Sequence, residues 1–240
     1  DGRKFFRAAS QVSPLKPIVV FKGGRTPRAV LASVSHTGFF GGTYGVAAGA
    51  FRQAGCIAVD SMEEMGAVSR ALALQPPAAG PRIAMISNGA GSMVQAMDIM
   101  EGYGLSLAAP AEATLARLRA AYPPYYVVGN PVDVTGSATS GDYDLGVAAL
   151  LEDPAVDIIM PWFVFQDTSL GEDIVEKLAL LSARRIKPIL CGGMGGPYTA
   201  KMSRAFEEAG VPCFFSVREW VAAAGALAQR GRYLAALNAP

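Results

Sequence analysis

The chain has 240 residues, of which 51% are hydrophobic and only 17% charged, with a formal net charge of +1. That composition excludes disorder, and the near-neutral balance removes the electrostatic case for nucleic acid or an anionic membrane as a partner. Three cysteines without C-x-x-C spacing and a single histidine make a disulfide framework or a His-based metal centre a poor fit, and point to a reducing, cytoplasmic setting.

No apolar run reaches the ~18 residues of a membrane span, and the N-terminus lacks a signal-peptide pattern. The sequence does not begin with Met, and DGRKFF opens directly into helical-looking sequence, so it reads as a piece of a longer protein.

In chain order, residues 16–21, KPIVVF, predict a buried strand, followed by SVSHTGFFGG as a loop. Thr43 is placed to cap a helix that Gly55 stops. Residues 56–60, CIAVD, predict a second strand. Ser61 with Glu64 three positions on forms a capping signature for a helix running to about Leu74. The stretch QPPAAGP (75–81) is the best linker candidate, dividing the chain into 1–75, a linker at 76–81, and 82–240.

The alternation then restarts. Strands are predicted at 82–87, 156–163 and 187–191, with a short one at CFF (213–215). Helices are predicted at about 92–103, 111–121, 142–152, 170–183, 198–209 and 217–230. Continuously apolar strands alternating with helices imply a parallel sheet covered on both faces. The fold class is therefore α/β, doubly wound and flavodoxin-like. The second unit counts about five strands, and the first resembles half of a similar domain.

Two segments could carry chemistry. NGAGS (88–92) follows a strand and opens a helix, where unpaired backbone N–H groups and the helix dipole favour an anion. It has neither the Lys-Ser/Thr ending of a Walker loop nor G-x-G-x-x-G spacing, and a plain tight turn explains the glycines as well. His36 sits among Ser33, Ser35 and Thr37, with Gly38, Gly41 and Gly42 beyond. A free imidazole titrates at about 6.5, so a neutral nucleophile is available at neutral pH; a satisfied or surface histidine is the competing reading.

At the far edge of the predicted sheet, Gln166, Asp167 and Thr168 end a strand where open α/β folds bind ligands. GGMGGP (192–197) follows the next strand. In NPVDVTG (130–136), Asp133 is read as capping backbone. Lys22 and Arg25 are read as solvated charges.

The stretch from KPIVVFKGG through SVSHTGFFGGTYG and AFRQAG to CIAVDS resembles the C-terminal half of domain 2 in nucleoside-diphosphate-forming acid–CoA ligases, members of the succinyl-CoA synthetase superfamily. RIAMISNGAGSMVQAMDIMEGYG, NPVDVTGSAT and LLEDPAVDIIM resemble domain 5 of the same enzymes.

The resemblance implies that His36 is the transiently phosphorylated residue and that Asn88, Gly89, Ala90, Gly91 and Ser92 form the domain 5 phosphate element. It further implies a carboxylic acid or acyl-CoA as substrate. No cofactor is expected in this stretch itself, while ATP or ADP, CoA and Mg²⁺ serve the complete enzyme. The implied partners are CoA-binding and ATP-grasp domains, on the full chain or on a second subunit, with a homo- or hetero-oligomer as the assembly. Two competitors remain at this stage: a ligand-sensing module that has lost ligation, and a generic flavodoxin-like binding domain.

Overall fold

The computed structural model describes residues 1–37 and 43–238, with backbone only at 33–37. The first 75 residues form helix α1 (Gly2–Val12), strand β1 (Val19–Phe21), helices α2 (Pro27–Thr37) and α3 (Tyr44–Gln53), strand β2 (Ile57–Val59) and helix α4 (Met62–Leu74). β1 and β2 pair in parallel as a two-stranded sheet.

Local chemistry sets these boundaries. Asp1 accepts the Arg3 N–H at 2.9 Å and caps α1. Thr26 Oγ1 accepts the Ala29 N–H at 3.2 Å, and Pro27 takes the first position of α2, where a missing N–H costs nothing. Gly55 adopts φ +73° after α3, and an added Cβ there would run into the Tyr233 ring. Ser61 Oγ accepts the Glu64 N–H at 3.1 Å, while the Glu64 carboxylate accepts the Asp60 N–H at 2.7 Å.

The remainder is a six-stranded sheet. Its strands are β3 (Arg82–Ser87), β4 (Ser106–Leu107), β5 (Val132–Asp133), β6 (Ile158–Phe163), β7 (Cys191–Gly193) and β8 (Cys213–Phe214). Its helices are α5 (Ala90–Met100), α6 (Glu112–Ala121), α7 (Ser140–Glu152), α8 (Ile174–Ala183), α9 (Pro197–Glu208) and α10 (Val217–Leu237). The strand order is β4-β3-β6-β7-β8, all pairings parallel, with β5 joined to the C-terminal end of β3. With β5 set aside and the other five strands numbered in chain order, the order is 2-1-3-4-5, the flavodoxin-like arrangement.

Both faces of the sheet are buried, and successive strand residues serve opposite faces. Ile83, Met85, Ile158, Met160 and Trp162 pack with Met93 and Ala96 of α5 and Trp220 of α10. Ala84, Ile86, Ile159 and Phe163 pack on the other side with Tyr143 of α7, Leu178 of α8 and Phe206 of α9. The Trp162 and Trp220 rings lie 5.0 Å apart, and Trp220 donates its indole N–H to the Leu190 carbonyl at 2.6 Å. Among the described residues no helix is long and apolar enough to cross a membrane.

Several expectations need correction. The backbone of 33–37 is helical rather than loop, and the rest of the expected loop, residues 38–42, lies outside the described residues. The 16–21 strand shrinks to three residues and is only half-buried, because a two-stranded sheet leaves Phe21 42% exposed. The 187–191 strand pairs from Cys191 onward, preceded by a single bridge between Ile159 and Ile189. α8 starts at Ile174 rather than 170, and α10 continues seven residues past 230 to Leu237.

The segment 75–81 is anchored rather than loose. Gln75 is 3% exposed; its carboxamide donates to Ser182 Oγ at 3.0 Å and accepts the Ile189 N–H at 3.0 Å. The Ala78 N–H donates to the Leu227 carbonyl at 3.2 Å, and an added Cβ at Gly231 would overlap the Ala78 carbonyl. α4 shares the β3 core through Ala67 and Ala71. Arg70 pairs with Glu207 and lies over the Phe214 ring at 5.3 Å.

Candidate functional site

The order 2-1-3-4-5 reverses direction at β3. The helices that follow β3 and β6 therefore leave on opposite faces, and it is at the strands' C-terminal ends beside such a switch point that open α/β sheets have their crevice. Four connections border it: 88–89 after β3, 134–139 after β5, 164–173 after β6 and 194–196 after β7.

β3 ends at Ser87, whose hydroxyl accepts the Gly89 N–H and donates to the Gly89 carbonyl, both at 2.9 Å. Gly89 is the N-cap of α5 with φ −146° and ψ 104°, and no side chain caps this helix. The amides of Ala90, Gly91 and Ser92 are therefore left without intrahelical partners. A Cβ on Gly89 would meet Val164 Cγ2 at 2.7 Å, so packing accounts for that glycine. A Cβ on Gly91 would meet nothing within 4 Å. Neither packing nor a positive φ requires glycine at position 91.

Asn88 is 6% exposed and faces inward. Its Oδ1 accepts the Val164 N–H at 2.8 Å, and its Nδ2 donates to the Val164 carbonyl at 3.1 Å and to Asp167 Oδ2 at 2.8 Å. The Asn88 N–H donates to the Tyr143 hydroxyl at 2.7 Å. The single hydroxyl proton of Tyr143 faces two acceptors, the Trp162 carbonyl at 2.8 Å and Asn88 Oδ1 at 2.9 Å. Burial raises the Tyr143 pKa well above its ordinary value, so it stays a neutral phenol.

The structure thus gathers Asn88–Ser92 and Asp167 at one crevice. Gln166 points along the same edge, where its Nε2 donates to Thr199 Oγ1 at 2.9 Å beside Gly195. Thr168 is exposed one residue past Asp167. Asp133 caps backbone as expected, accepting the Thr135 N–H at 2.9 Å. Asn130 acts inside the sheet: its Oδ1 accepts the Met85 N–H at 3.0 Å, and its Nδ2 donates to the carbonyls of Ile83 and Ala108 at 2.8 and 2.9 Å.

No lysine or arginine occurs in residues 85–97, 131–141, 163–173 or 191–200, and Lys201 of α9 is paired with Glu172 at 2.6 Å; at the start of α5 itself the positive end is that of the helix dipole. His36 has its backbone in the last turn of α2, whereas its side chain and residues 38–42 lie outside the described residues. Arg25 is not a free charge. It pairs with Asp60 at 2.5 Å, donates to the Val59 carbonyl at 2.8 Å and lies over the Tyr44 ring at 4.7 Å. Among the described residues, no three His, Cys, Asp or Glu side chains gather as metal ligands.

Two features escaped sequence reasoning. Helix α2 carries its own signal in Thr26-Pro27, an N-cap followed by a favoured first residue. The Tyr143 hydroxyl had none, since its partners lie 55 residues back and 19 ahead.

A parallel sheet of order 2-1-3-4-5 with helices on both faces defines a flavodoxin-like class of domain. Residues 83–233 match the ligase-CoA domain and residues 1–72 match the succinyl-CoA ligase-like flavodoxin domain; the chain belongs to the ligase-CoA family. It is 34% identical over 238 residues to the α subunit of ADP-forming acetate–CoA ligase II of Pyrococcus furiosus, covering 97% of this chain and 51% of the relative. Against ADP-forming acetate–CoA ligase I of Archaeoglobus fulgidus it is 32% identical over 237 residues, covering 97% of this chain and 32% of that one. The dinucleotide-forming acetyl-coenzyme A synthetase 1 of Ca. Korarchaeum cryptofilum, solved with phosphate and ADP, superposes with a TM-score of 0.88 at 29% identity, over 100% of this chain and 53% of that one. The chain thus spans about half of that structure and of the Pyrococcus furiosus subunit, and about a third of the Archaeoglobus fulgidus relative.

Proposed function

We propose that this chain is part of an ADP-forming acid–CoA ligase, interconverting carboxylic acid, CoA and ATP with acyl-CoA, ADP and phosphate. In the acyl-CoA-consuming direction, phosphate displaces CoA from the acyl group, giving an acyl phosphate and free thiol. The neutral imidazole of His36 attacks phosphorus; the P–O bond to the acyl group breaks and the carboxylate leaves. The phosphohistidine then passes its phosphoryl group to ADP. ATP or ADP, CoA and Mg²⁺ belong to the complete enzyme, whose CoA-binding and ATP-grasp parts lie on the full chain or on a second subunit.

The observation that carries this reading is the uncapped N-terminus of α5 at the switch point. The amides of Ala90, Gly91 and Ser92 hold the phosphate, and Asn88 and Gly89 frame them. The open space at Gly91 lets an anion reach the backbone, where the unpaired amides and the α5 dipole favour it. Gln166, Asp167 and Thr168 wall the same crevice. The division into 1–75, 76–81 and 82–240 assigns the His36 segment and the phosphate seat to two units that meet through α4 and α10.

The test is phosphorylation of the full-length protein with labelled ATP. Acid-labile, base-stable label that disappears in His36→Ala supports the reading. Label that persists in that variant removes His36 as carrier, and no label in the parent protein favours a ligand-sensing module instead.

A further inference from the structure

β3 and β6 stop pairing at Ser87 and Trp162, where the crevice begins. One residue further, the Asn88 carboxamide takes over. It accepts from the Val164 N–H and donates to the Val164 carbonyl, so a side-chain amide meets one residue's backbone through two bonds. Its second amide proton goes to Asp167, and its oxygen also shares the Tyr143 hydroxyl proton with the Trp162 carbonyl, so its contacts all lie inside the chain. The carboxamide therefore has no N–H left for a ligand.

What the carboxamide controls is direction. It fixes the distance between the turn after β3 and the turn after β6, and it holds the Asp167 carboxylate beside the start of α5. The Tyr143 hydroxyl, fully buried, locks the Asn88 backbone from below by accepting its N–H. The next residues along that backbone are those with the open amides.

We propose that Tyr143 and Asn88 are positioning residues that set the angle at which the Ala90–Ser92 amides face a phosphoryl group. This deepens, and rests on, the reading of the α5 N-terminus as the phosphate seat. A hydroxyl-to-backbone lock of this kind matters because a displacement of about 1 Å at a reacting group lowers rates by roughly a hundredfold.

The experiment compares Tyr143→Phe with Tyr122→Phe in the full-length protein. Tyr122 is a fair control: it is 6% exposed, and its hydroxyl donates to the Asp142 carbonyl at 2.6 Å, away from Asn88. Inorganic phosphate is titrated into each, and melting temperature, kcat and the KM for phosphate are measured. The expected result is similar loss of melting temperature in both, with phosphate affinity weakened roughly tenfold only in Tyr143→Phe. Asn88→Asp, which turns a donor toward Asp167 into an acceptor, reproduces that phosphate defect. Equal phosphate behaviour in Tyr143→Phe and Tyr122→Phe overturns the proposal. If the parent protein binds no phosphate, the phosphate-seat reading itself fails, a result distinct from the first.

Discussion

Arg230 donates to the carbonyl of Ser13 at 2.5 Å and to that of Pro14 at 3.3 Å, across 217 and 216 positions of sequence. The two carbonyls lie at the C-terminal end of α1, where the helix dipole favours a cation. At 5% exposure the guanidinium is buried, and burial lowers its pKa. One side chain of α10 thus ties down the first helix of the chain.

Replacing Arg230 by Met keeps the buried stem and removes the donors. The two carbonyls lose their partner, at a cost of roughly 2–4 kcal/mol. Urea unfolding measures the loss, and native-state hydrogen exchange locates it. Amides of Gly2–Val12 should exchange faster, while those of β3 and β6 keep their protection. Uniform acceleration across both regions contradicts the tie.

A second prediction concerns acid. Asp157, 4% exposed at the start of β6, accepts the Arg82 N–H at 3.0 Å and the Arg82 guanidinium at 2.8 Å through each carboxylate oxygen. Burial alone pushes its pKa up, but the Arg82 hydrogen bonds and charge outweigh that and leave it below the ordinary value. Asp153 follows the same balance: burial raises it, and the Thr114 hydroxyl with the Ala155 and Ala111 N–H groups carries it net downward. A folded pKa below the unfolded one means that the unfolded chain binds more protons. The stabilisation is therefore complete above the unfolded value of about 3.9 and fades as pH falls through the folded value. Urea midpoints should fall between about pH 5 and pH 2, and Asp157→Asn should flatten that fall while costing roughly 1–2 kcal/mol at pH 7. An unchanged acid slope in the variant sinks the assignment.

The buried strands were legible because both faces of this sheet are covered: RIAMIS carries no polar interruption, and β3 spans 82–87 as expected. Capping chemistry was legible at Ser61, since it is written within four residues. The 33–37 segment misled because serine, threonine and glycine composition signals loops, whereas Thr26-Pro27 ten residues earlier starts a helix that runs through it. At QPPAAGP the local pattern was silent on one point: Gln75 finds partners at 182 and 189, a tertiary contact that composition does not record. At the crevice, Asn88–Ser92 was visible as a strand–turn–helix junction. The division of labour within it, inward-bonded Asn88 and outward-facing amides, depends on Val164 and Tyr143 and so needed the fold.

The sharpest prediction sets stability against function at Gly91. Glycine lowers helix stability by about 0.5–1 kcal/mol relative to alanine, and at position 91 an added Cβ meets nothing. Gly91→Ala should therefore leave thermal stability unchanged or raise it slightly. Gly66→Ala, at an exposed site of α4 with an equally open Cβ position, gives the same gain as a pure propensity control. If the amides of Ala90–Ser92 receive a phosphoryl group closely, the new methyl at 91 stands in its approach. Phosphate affinity and turnover should then drop at least fivefold in Gly91→Ala and stay unchanged in Gly66→Ala. A protein that becomes more stable while losing phosphate binding separates the two roles of the residue. Full phosphate affinity in Gly91→Ala would leave that glycine as an accident of the turn and remove the closest-approach argument for the phosphate seat.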